Sequence, residues 1–263
     1  MIPYPEIDPV ALALGPLKVR WYGLMYVVGF LGGWWLARRR AAAPGSTWNV
    51  ADVDDLIFFA AVGVILGGRL GWTLFYGMEG VLADPLSVLR IWQGGMSFHG
   101  GLIGVMCSIA LFARRRGRSV MDVFDFAVPL PAIGLGAGRI GNFINGELWG
   151  KTTDLPWAFV VQGQARHPSQ LYEALLEGLV LFIIIWWFTS RPRPRLAASG
   201  LFLLTYGCFR FLVEFVRLPD LDLGYLALGW VTMGQVLSLP MIVAGLAMLA
   251  WSARYRVPSG NYR

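Results

Sequence analysis

The feature that most constrains the fold is a series of seven apolar segments, each close to the roughly 20 residues that an α-helix needs to cross a bilayer. They occupy residues 19–37, 56–76, 97–113, 123–145, 170–188, 199–216 and 229–251. Only 14% of the residues are charged, whereas about a quarter are charged in a typical soluble domain. The sequence therefore predicts an all-α integral membrane protein, in which residues 1–263 form a single polytopic domain with seven transmembrane helices.

The distribution of Lys and Arg between the loops predicts the orientation of these helices. With the N-terminus outside, the inside segments hold thirteen of these cations and the outside segments hold six. The inside cations are Arg38, Arg39, Arg40, Arg114, Arg115, Arg116, Arg118, Arg191, Arg193, Arg195, Arg254, Arg256 and Arg263. Because cytoplasmic loops are enriched in Lys and Arg, we expect the N-terminus outside (periplasmic) and the C-terminus in the cytoplasm.

Three other interpretations of the sequence are disfavoured. The net charge of +6 comes from short clusters of arginine between apolar runs, without interleaved aromatic residues, so it does not favour nucleic-acid binding. Cys107 and Cys208 both lie inside apolar runs and form no CxxC pair, which indicates small apolar side chains rather than disulfides. The N-terminus MIPYPEIDPV lacks a charged segment before an apolar stretch, so we do not expect a cleaved signal peptide.

Charged and polar side chains lie within the predicted spans, where they are costly. Arg139 lies about 24 Å along the fourth span and Arg210 about 16 Å along the sixth, measured from the inside at 1.5 Å per residue. The outward part of the second span carries Arg69, and the outer ends of the third and first spans carry His99 and Tyr22. We therefore expect these five side chains in the outer half of the bilayer, either as a functional site or as arginines that cap carbonyls and pair with carboxylates.

The sixth span carries a polar stripe. Tyr206, Arg210, Glu214 and Arg217 follow one another at spacings of four, four and three residues, which places them on one face of a helix. We expect Glu214 to form an ion pair with Arg210 or Arg217, so part of this stripe is structural.

The segment GAGRIGNFINGELWG, residues 136–150, combines polar groups with a helix end. Arg139 and Asn142 share a helix face, and Gly146 is placed to end the helix. Asn145 and Glu147 then lie where the chain leaves the membrane, which suits recognition of a hydroxylated headgroup. Since arginine offers a planar fork of donors to phosphate oxygens, we expect Arg139 to bind the headgroup of an anionic phospholipid.

Six segments carry a resemblance to a known family. They read RWYGLMY, GGMSFHGGLIG, GRIGNFINGELWG, RHPSQLYEALLEG, YGCFRFLVEFVR and MGQVLSLPMI. Together they resemble the signature segments of the bacterial prolipoprotein diacylglyceryl transferase family, from about residue 5 to residue 250. The pattern GRxGNFxNxExxG at residues 138–150 is long and specific, whereas the outside segment 151–166 is short for the family.

The resemblance implies a topology, a reaction and two partners. The family is described as seven-spanning, with the N-terminus outside and the C-terminus in the cytoplasm, in the bacterial cytoplasmic (inner) membrane. The implied reaction transfers the diacylglyceryl group from phosphatidylglycerol to the lipobox cysteine of a preprolipoprotein, and it releases glycerol phosphate. This is the first step of lipoprotein maturation, and it requires no cofactor, metal or nucleic acid.

Within the implied reaction, the polar residues receive roles as hypotheses, and the match to the family motif supports the role of Arg139. Arg139 would bind the phosphate, and Arg210 would be the second clamp that supports the leaving group. His99 is the candidate base, with a satisfied packing histidine as the alternative reading. Tyr22 and Tyr206 would orient the headgroup or assist proton movement, unless they are ordinary interfacial tyrosines.

The remaining polar residues are assigned to the substrate and to a helix start. Asn142, Asn145 and Glu147 would hold the glycerol hydroxyls, beside the ion pair formed by Glu214. In HPSQLYE, we expect Pro168 and Ser169 to begin a helix, with Glu173 pairing to an arginine of the site. The list of substrate-binding candidates is Arg139, Asn142, Asn145, Glu147, Tyr206, Arg210 and Glu214.

Two other classes of protein remain open on the residues alone. Intramembrane arginines and glycine-rich helices also suit a transporter or channel for anions, although the two halves of the chain show no matching hydropathy repeat. Another lipid enzyme, a phosphatidyl alcohol transferase or a lipid phosphatase, would need an aspartate cluster for metal or a histidine nucleophile with several partners. Neither pattern occurs within the predicted spans, and His99 and His167 lack the spacing of metal ligands.

Overall fold

The computed structural model describes residues 1–15, 17–91, 94–219 and 223–261, so Arg263, one of the predicted inside cations, lies outside the described residues. The helices are α1 (Trp21–Ala41), α2 (Val50–Phe75), α3 (Met78–Ala83), α4 (Phe98–Arg115), α5 (Val120–Ala127), α6 (Pro131–Ile144), α7 (Ser169–Glu173), α8 (Leu181–Phe188), α9 (Ala197–Val213) and α10 (Met233–Tyr255). A π-helical segment, Ala174–Val180, joins α7 to α8, and a 3-10 helix covers Pro85–Leu89. The strands are β1 (Ile2–Pro3), β2 (Val10–Leu14), β3 (Leu17–Arg20), β4 (Phe159–Val161) and β5 (Gln164–Arg166).

Each of the seven predicted segments is occupied by a helix or by a bent helix pair in the described part of the chain. Judged by length and hydropathy, the continuous helices Ser169–Phe188 and Met233–Tyr255 are each able to cross a membrane, and the pair of α5 and α6 would make a third span. The prediction of a mainly helical membrane protein is confirmed at this level. The number of seven spans and their orientation stay predictions.

Two helices begin at other residues than predicted, because side-chain caps fix their N-terminal ends. We expected the second span to begin at residue 56, but α2 begins at Val50, because the side chain of Asn49 accepts a hydrogen bond from the Asp52 amide. The last helix begins four residues later than expected. Thr232 and Gln235 form a reciprocal capping box at that point, so the backbone before Met233 stays outside the helix.

The fourth predicted span is not one straight helix. It is divided into α5 and α6, which meet at an angle of 48°. Pro129 lies in the break and Pro131 begins α6. Proline has no amide hydrogen to donate and its ring clashes with the preceding turn, so two prolines in this position interrupt the helix. The prediction of a continuous helix over residues 123–145 was wrong on this point.

The chain divides into two compact units. The first contains Met1–Ala37 and Asp125–Ser259, and the second contains Arg38–Phe124 together with the C-terminal residues from Gly260. In the first unit, Ala132, Leu181 and Ile185 form a fully or almost fully buried core. The prediction of a single domain stays a prediction, and each unit is described by itself below.

Small residues allow the helices of the first unit to approach closely. A Cβ atom added to Gly136 of α6 would lie 3.1 Å from the Cα atom of Gly178 in the π-helical segment. A Cβ atom added to Gly207 of α9 would lie 2.9 Å from the side chain of Ile242 in α10. At these positions the absence of a side chain lets the two backbones approach, as small residues do between membrane helices.

Two small sheets complete the first unit. Strand β4 lies between β1, to which it is parallel, and β5, to which it is antiparallel. Strands β2 and β3 form a separate antiparallel hairpin that leads directly into α1. Apart from Val19 and Arg20 of β3, which the predicted first span included, these strands belong to segments that the sequence predicts outside the membrane.

The second unit is organised by the packing of α2 on α4. Glycines on both helices face one another, and a Cβ atom added to Gly71 would lie 2.8 Å from the Cα atom of Gly100. The side chain of Asn261 accepts a hydrogen bond from the Trp48 indole at 2.9 Å and donates one to the Asp122 carbonyl at 2.7 Å. These contacts attach the last described residue to the same unit.

Candidate functional site

A buried carboxylate, that of Glu173, lies at the meeting point of two predicted site arginines in the first unit. Glu173 ends α7, Arg139 is on α6 and Arg210 is on α9. The Arg139 Nε atom lies 3.2 Å from Glu173 Oε2, and the Arg210 Nη1 atom forms an ion pair with Glu173 Oε1. The structure therefore brings Arg139 and Arg210 together from separate helices, and the expected pairing of Glu173 with an arginine is confirmed.

A second carboxylate, that of Glu214, joins the cluster from the C-terminal end of α9. Glu214 Oε1 lies 2.6 Å from Arg210 Nη2 and 3.0 Å from Arg217 Nε. The Thr232 hydroxyl donates a 2.5 Å hydrogen bond to the other oxygen of Glu214. The predicted ion pair of Glu214 is confirmed with both arginines.

The predicted helical stripe is shorter than expected. Helix α9 ends at Val213 and Glu214 caps it, so Arg217 lies beyond the helix, where it pairs with Gly150 in an isolated antiparallel bridge. Arg217 nevertheless reaches the cluster, because its Nη1 atom lies 2.7 Å from Glu173 Oε1. The ion pairs that Arg217 forms, rather than a continuous helix, bring it beside Glu214.

A third carboxylate of the cluster, that of Glu177, was not predicted from the sequence. Glu177 lies in the π-helical segment, 3.8 Å from Arg139 Nη2 and 4.0 Å from Arg210 Nη1. Neither oxygen of Glu177 accepts a hydrogen bond within the described residues. The available signal was its spacing of four residues from Glu173, which places both carboxyls on one face of an apolar helix. Short π-helical segments within helices are frequent at functional sites.

Exposure divides the cluster into a closed side and an open side. The Glu173 and Glu177 side chains are 0% exposed, whereas those of Arg139 and Arg210 are 21% and 18% exposed. Arginine side chains that are held by carboxylates and stay partly exposed are able to donate hydrogen bonds to a further anion. In the part of the chain that the structure describes, no group of three His, Cys, Asp or Glu side chains is placed to hold a metal ion.

A second polar group follows directly after α6. The amides of Asn142 and Asn145 donate hydrogen bonds to the Glu147 carboxylate at 3.2 and 3.0 Å. Gly146, with φ of 69°, turns the chain out of the helix as predicted. The Gln170 side chain donates a hydrogen bond to the Glu147 carbonyl from α7, the helix that also carries Glu173. The structure therefore brings together the three predicted headgroup residues at the C-terminal end of α6 and the turn that follows it.

The predicted tyrosines occupy different surroundings. Tyr22, in the first turn of α1, accepts a long 3.5 Å hydrogen bond from the Tyr26 hydroxyl. A Cβ atom added to Gly141 would lie 2.9 Å from the Tyr22 ring, so this ring packs on α6 two residues after Arg139. Tyr206 stacks on Phe202 with ring centroids 6.0 Å apart. Tyr206 also packs against the core of the first unit, as expected of a partly structural residue.

His99 and Arg69 belong to the second unit. His99 is exposed in the first turn of α4, edge-on to Phe98, with ring centroids 5.5 Å apart. The proposed proton transfer by His99 stays a prediction. Arg69 is buried and donates hydrogen bonds to the carbonyls of Val88 at 2.8 Å and Gly94 at 2.6 Å. The structural interpretation of Arg69, as an arginine that caps carbonyls, is confirmed.

His167 precedes the helix that carries Glu173. Helix α7 begins at Ser169 with Pro168 at its cap, as the sequence predicts. The His167 Nδ1 atom lies 3.3 Å from the Tyr172 hydroxyl. Burial, and secondarily the charge of Lys151, lowers the pKa of His167. The imidazole of His167 is therefore mainly neutral near pH 7. Its contact with the Tyr172 hydroxyl holds it against the start of α7.

Comparison of the sequence with known proteins identifies the family to which the chain belongs. The family model described as prolipoprotein diacylglyceryl transferase matches residues 9–251. The phosphatidylglycerol–prolipoprotein diacylglyceryl transferase of Azotobacter vinelandii is 60% identical over 258 residues, which cover 97% of each chain. The enzyme of the same name from Ectopseudomonas mendocina is 57% identical over 264 residues, or 99% of each chain. The one from Oleidesulfovibrio alaskensis is 60% identical over 257 residues, or 97% of this chain and 96% of the relative. Because these matches span nearly the whole length, the chain belongs to the prolipoprotein diacylglyceryl transferase family.

Proposed function

We propose that this chain transfers the diacylglyceryl group of phosphatidylglycerol to the lipobox cysteine of a preprolipoprotein and releases glycerol phosphate. The observation that carries the proposal is the meeting of Arg139 and Arg210 at the buried Glu173 carboxylate, with both arginine side chains still partly exposed. Membership of the family supports the reaction, and the named activity of the relatives supports both substrates. The products are a thioether-linked lipid and glycerol phosphate.

The two arginines act on the phosphate. A phosphodiester carries one negative charge, and arginine binds phosphate oxygens through paired hydrogen bonds. As the bond between carbon and the phosphate oxygen breaks, charge grows on the departing phosphate. Cations that are fixed before the reaction stabilise this transition state, commonly by about 3 kcal/mol per donor. Glu173 and Glu214 hold the arginines in place for this purpose.

The bond changes are those of a nucleophilic displacement at carbon. The lipobox thiol has an ordinary pKa near 8.5 and loses its proton before it attacks. Its sulfur then forms a bond to the glyceryl C3 carbon while the bond from C3 to the phosphate oxygen breaks. The electron pair of the broken bond stays on glycerol phosphate. No cofactor is required, because the lipid already carries its leaving group.

The roles of the proton acceptor and of the headgroup-binding residues follow from the chemical properties of their side chains. His99 is the proposed base, since imidazole titrates near pH 6.5, and Tyr22 is the alternative. Asn142, Asn145 and Glu147 hold the glycerol hydroxyls, because amides and a carboxylate offer both donors and acceptors. Tyr206 orients the headgroup from α9.

The proposed setting is the bacterial cytoplasmic (inner) membrane. Seven transmembrane helices in a single domain place the N-terminus outside and the C-terminus in the cytoplasm, in agreement with the distribution of Lys and Arg. Arg139 and Arg210 then lie in the outer half of the bilayer, at a depth that a phospholipid of the outer leaflet reaches. No nucleic acid takes part.

One assay tests the reaction directly. The purified protein is incubated with phosphatidylglycerol and a synthetic lipobox peptide, and both products are measured. We expect diacylglyceryl thioether on the peptide and an equal amount of free glycerol phosphate. Absence of both products from folded protein contradicts the proposal, as does hydrolysis of the lipid without transfer to the peptide. Movement of an anion across sealed vesicles without transfer would favour a transporter instead.

Variants of the arginines test the site. Arg139→Ala and Arg210→Ala should each lower the rate of transfer by about a hundredfold or more, since each removes a cation from the transition state. The exposed Arg191 is the matched control, and Arg191→Ala should keep the wild-type rate. Near-normal turnover in both site variants would overturn the phosphate assignment. An active His99→Gln enzyme would move the proton-acceptor role to another group.

A further inference from the structure

The carboxyl group of Glu177 has an environment unlike those of its two neighbours. Glu173 Oε1 accepts hydrogen bonds from Arg210 and Arg217, and Glu214 Oε2 accepts one from Thr232. Both oxygens of Glu177 are buried without a donor among the described residues. An ionised carboxylate that is removed from water and receives no hydrogen bond is strongly disfavoured.

The charges around Glu177 act in opposite directions. Arg139 on α6, Arg210 on α9 and Arg217 beyond α9 favour its ionised form, whereas the carboxylate of Glu173 on the same helix favours the protonated form. Tyr206 also faces Glu177 from α9. The arginine nitrogens nearest to it lie 3.8 and 4.0 Å away, whereas the same arginines lie closer to Glu173. Where two carboxyls share one site, one of them tends to retain its proton. Of Glu173 and Glu177, only Glu177 can be protonated without the loss of a hydrogen bond from an arginine.

The protonation of Glu177 decides the net charge of the cluster. The three arginines and three glutamates cancel when all six are ionised. With a proton on Glu177, the cluster carries one net positive charge, which equals the single negative charge of a phosphodiester. A buried site of this kind binds an anion best when the anion completes its charge balance, because an uncompensated buried charge is costly.

We propose that Glu177 is a positioning residue that holds a proton at neutral pH. With this proton, the net charge of the arginine cluster is the single positive charge that balances one phosphodiester anion. The inference rests on the proposed function, because it concerns the binding of the lipid phosphate at the same arginines. Glu177 is fully buried and acts through Arg139 and Arg210 rather than by touching the lipid. Loss of the proton at high pH makes the cluster neutral and weakens its affinity for the headgroup.

The experiment compares wild-type enzyme with Glu177→Gln across the pH range. The kcat/KM for phosphatidylglycerol is measured between about pH 6 and about pH 10, a range that contains the titration of a buried carboxyl. Glutamine cannot ionise, so the variant keeps the charge balance at every pH. We expect the ratio of variant to wild type to be flat at low pH and then to rise, by up to about tenfold per pH unit. Titration of the thiol and of the base affects both enzymes and cancels in the ratio.

Glu173→Gln is the matched control, since Glu173 is equally buried on the same helix but is hydrogen-bonded to arginines. We expect it to lower kcat/KM by at least about tenfold at every pH, because it removes an ionised partner of the arginines. A ratio for Glu177→Gln that does not change with pH, or loss of activity that matches Glu173→Gln, overturns the inference. Wild-type enzyme without transfer activity would instead overturn the proposed function.

A second measurement needs neither turnover nor a variant that folds well. Infrared spectroscopy of the wild-type protein at neutral pH should show the carbonyl band of a protonated carboxyl, and this band should disappear at high pH. Addition of phosphatidylglycerol should shift the loss of the band to higher pH, since binding favours the protonated form. Wild-type protein that lacks the band at neutral pH overturns the inference even if transfer is normal.

Discussion

The guanidinium of Arg217 lies 2.7 Å from the Glu173 carboxylate, although Arg217 is outside the helix that carries the other arginine of its stripe. Its Nε atom also lies 3.0 Å from Glu214, so one side chain bridges two buried carboxylates. The Arg217 side chain is only 10% exposed, about half the exposure of the Arg139 and Arg210 side chains. We conclude that Arg217 stabilises the closed side of the cluster, whereas the more exposed Arg139 and Arg210 are the arginines proposed to bind the phosphate.

Arg217→Gln should therefore destabilise the protein. Removing one partner of a buried ion pair leaves the other charge uncompensated, which typically costs about 3–5 kcal/mol. We expect a lower midpoint of thermal unfolding in detergent and a loss of activity that follows the loss of folded protein. Arg191→Gln, at an exposed position, should leave the midpoint unchanged. An unchanged midpoint for Arg217→Gln would contradict the structural role.

Gly67→Ala should weaken the second unit. A Cβ atom at this position would lie 2.7 Å from the Cα atom of Gly104, so α2 and α4 would have to move apart. Overpacking of a tight interface costs about 1–3 kcal/mol. The measurement is the free energy of unfolding in detergent. Gly80→Ala is the matched control, because nothing lies within 4 Å of an added Cβ there, and it should be neutral or slightly stabilising. Equal effects of the two substitutions would contradict the packing argument.

The long helices were predictable from the sequence, but the bend between α5 and α6 was not. The apolar segments located every long helix, because the period and length of such segments are local properties of the chain. The bend between α5 and α6 was missed although Pro129 and Pro131 were visible, since prolines are tolerated in membrane helices where neighbouring groups satisfy the backbone. The length rule alone did not decide between a kink and a continuous span.

The site was predictable where its residues interact locally and unpredictable where they do not. The turn at Gly146 followed from one short segment. Arg69 donates to the carbonyls of Val88 in the 3-10 helix and of Gly94 beyond it, 19 and 25 residues further along the chain, so its partners had no local signal in the sequence. Glu177 was overlooked although it lies four residues after Glu173, because that spacing gives no indication of the arginines that two other helices bring to it.

The stability of the protein should depend on pH through His167. Burial, and to a lesser extent the charge of Lys151, lowers the pKa of His167 from its ordinary value of 6.5. The unfolded chain then takes up a proton more readily than the folded chain, so the free energy of unfolding falls as pH decreases below about 6.5 and levels off below the folded-state pKa. His167→Gln removes this contribution. The difference in thermal midpoint between about pH 7.5 and about pH 5.5 should be smaller in the variant, and an equal difference would contradict the assignment.

Recognition of the glycerol hydroxyls should depend on Glu147. The two asparagine amides orient its carboxylate on the turn after α6, and hydrogen bonds to charged groups contribute about 1.5–3 kcal/mol. We therefore expect Glu147→Ala to lower kcat/KM for phosphatidylglycerol by about tenfold or more. A lipid with a propanol headgroup has the same phosphodiester but no free hydroxyl, so its slower turnover should change much less. Glu6→Ala, at an exposed position, is the control and should preserve the preference between the two lipids. If Glu147→Ala slowed both lipids equally, Glu147 would be supporting the turn rather than binding the hydroxyls.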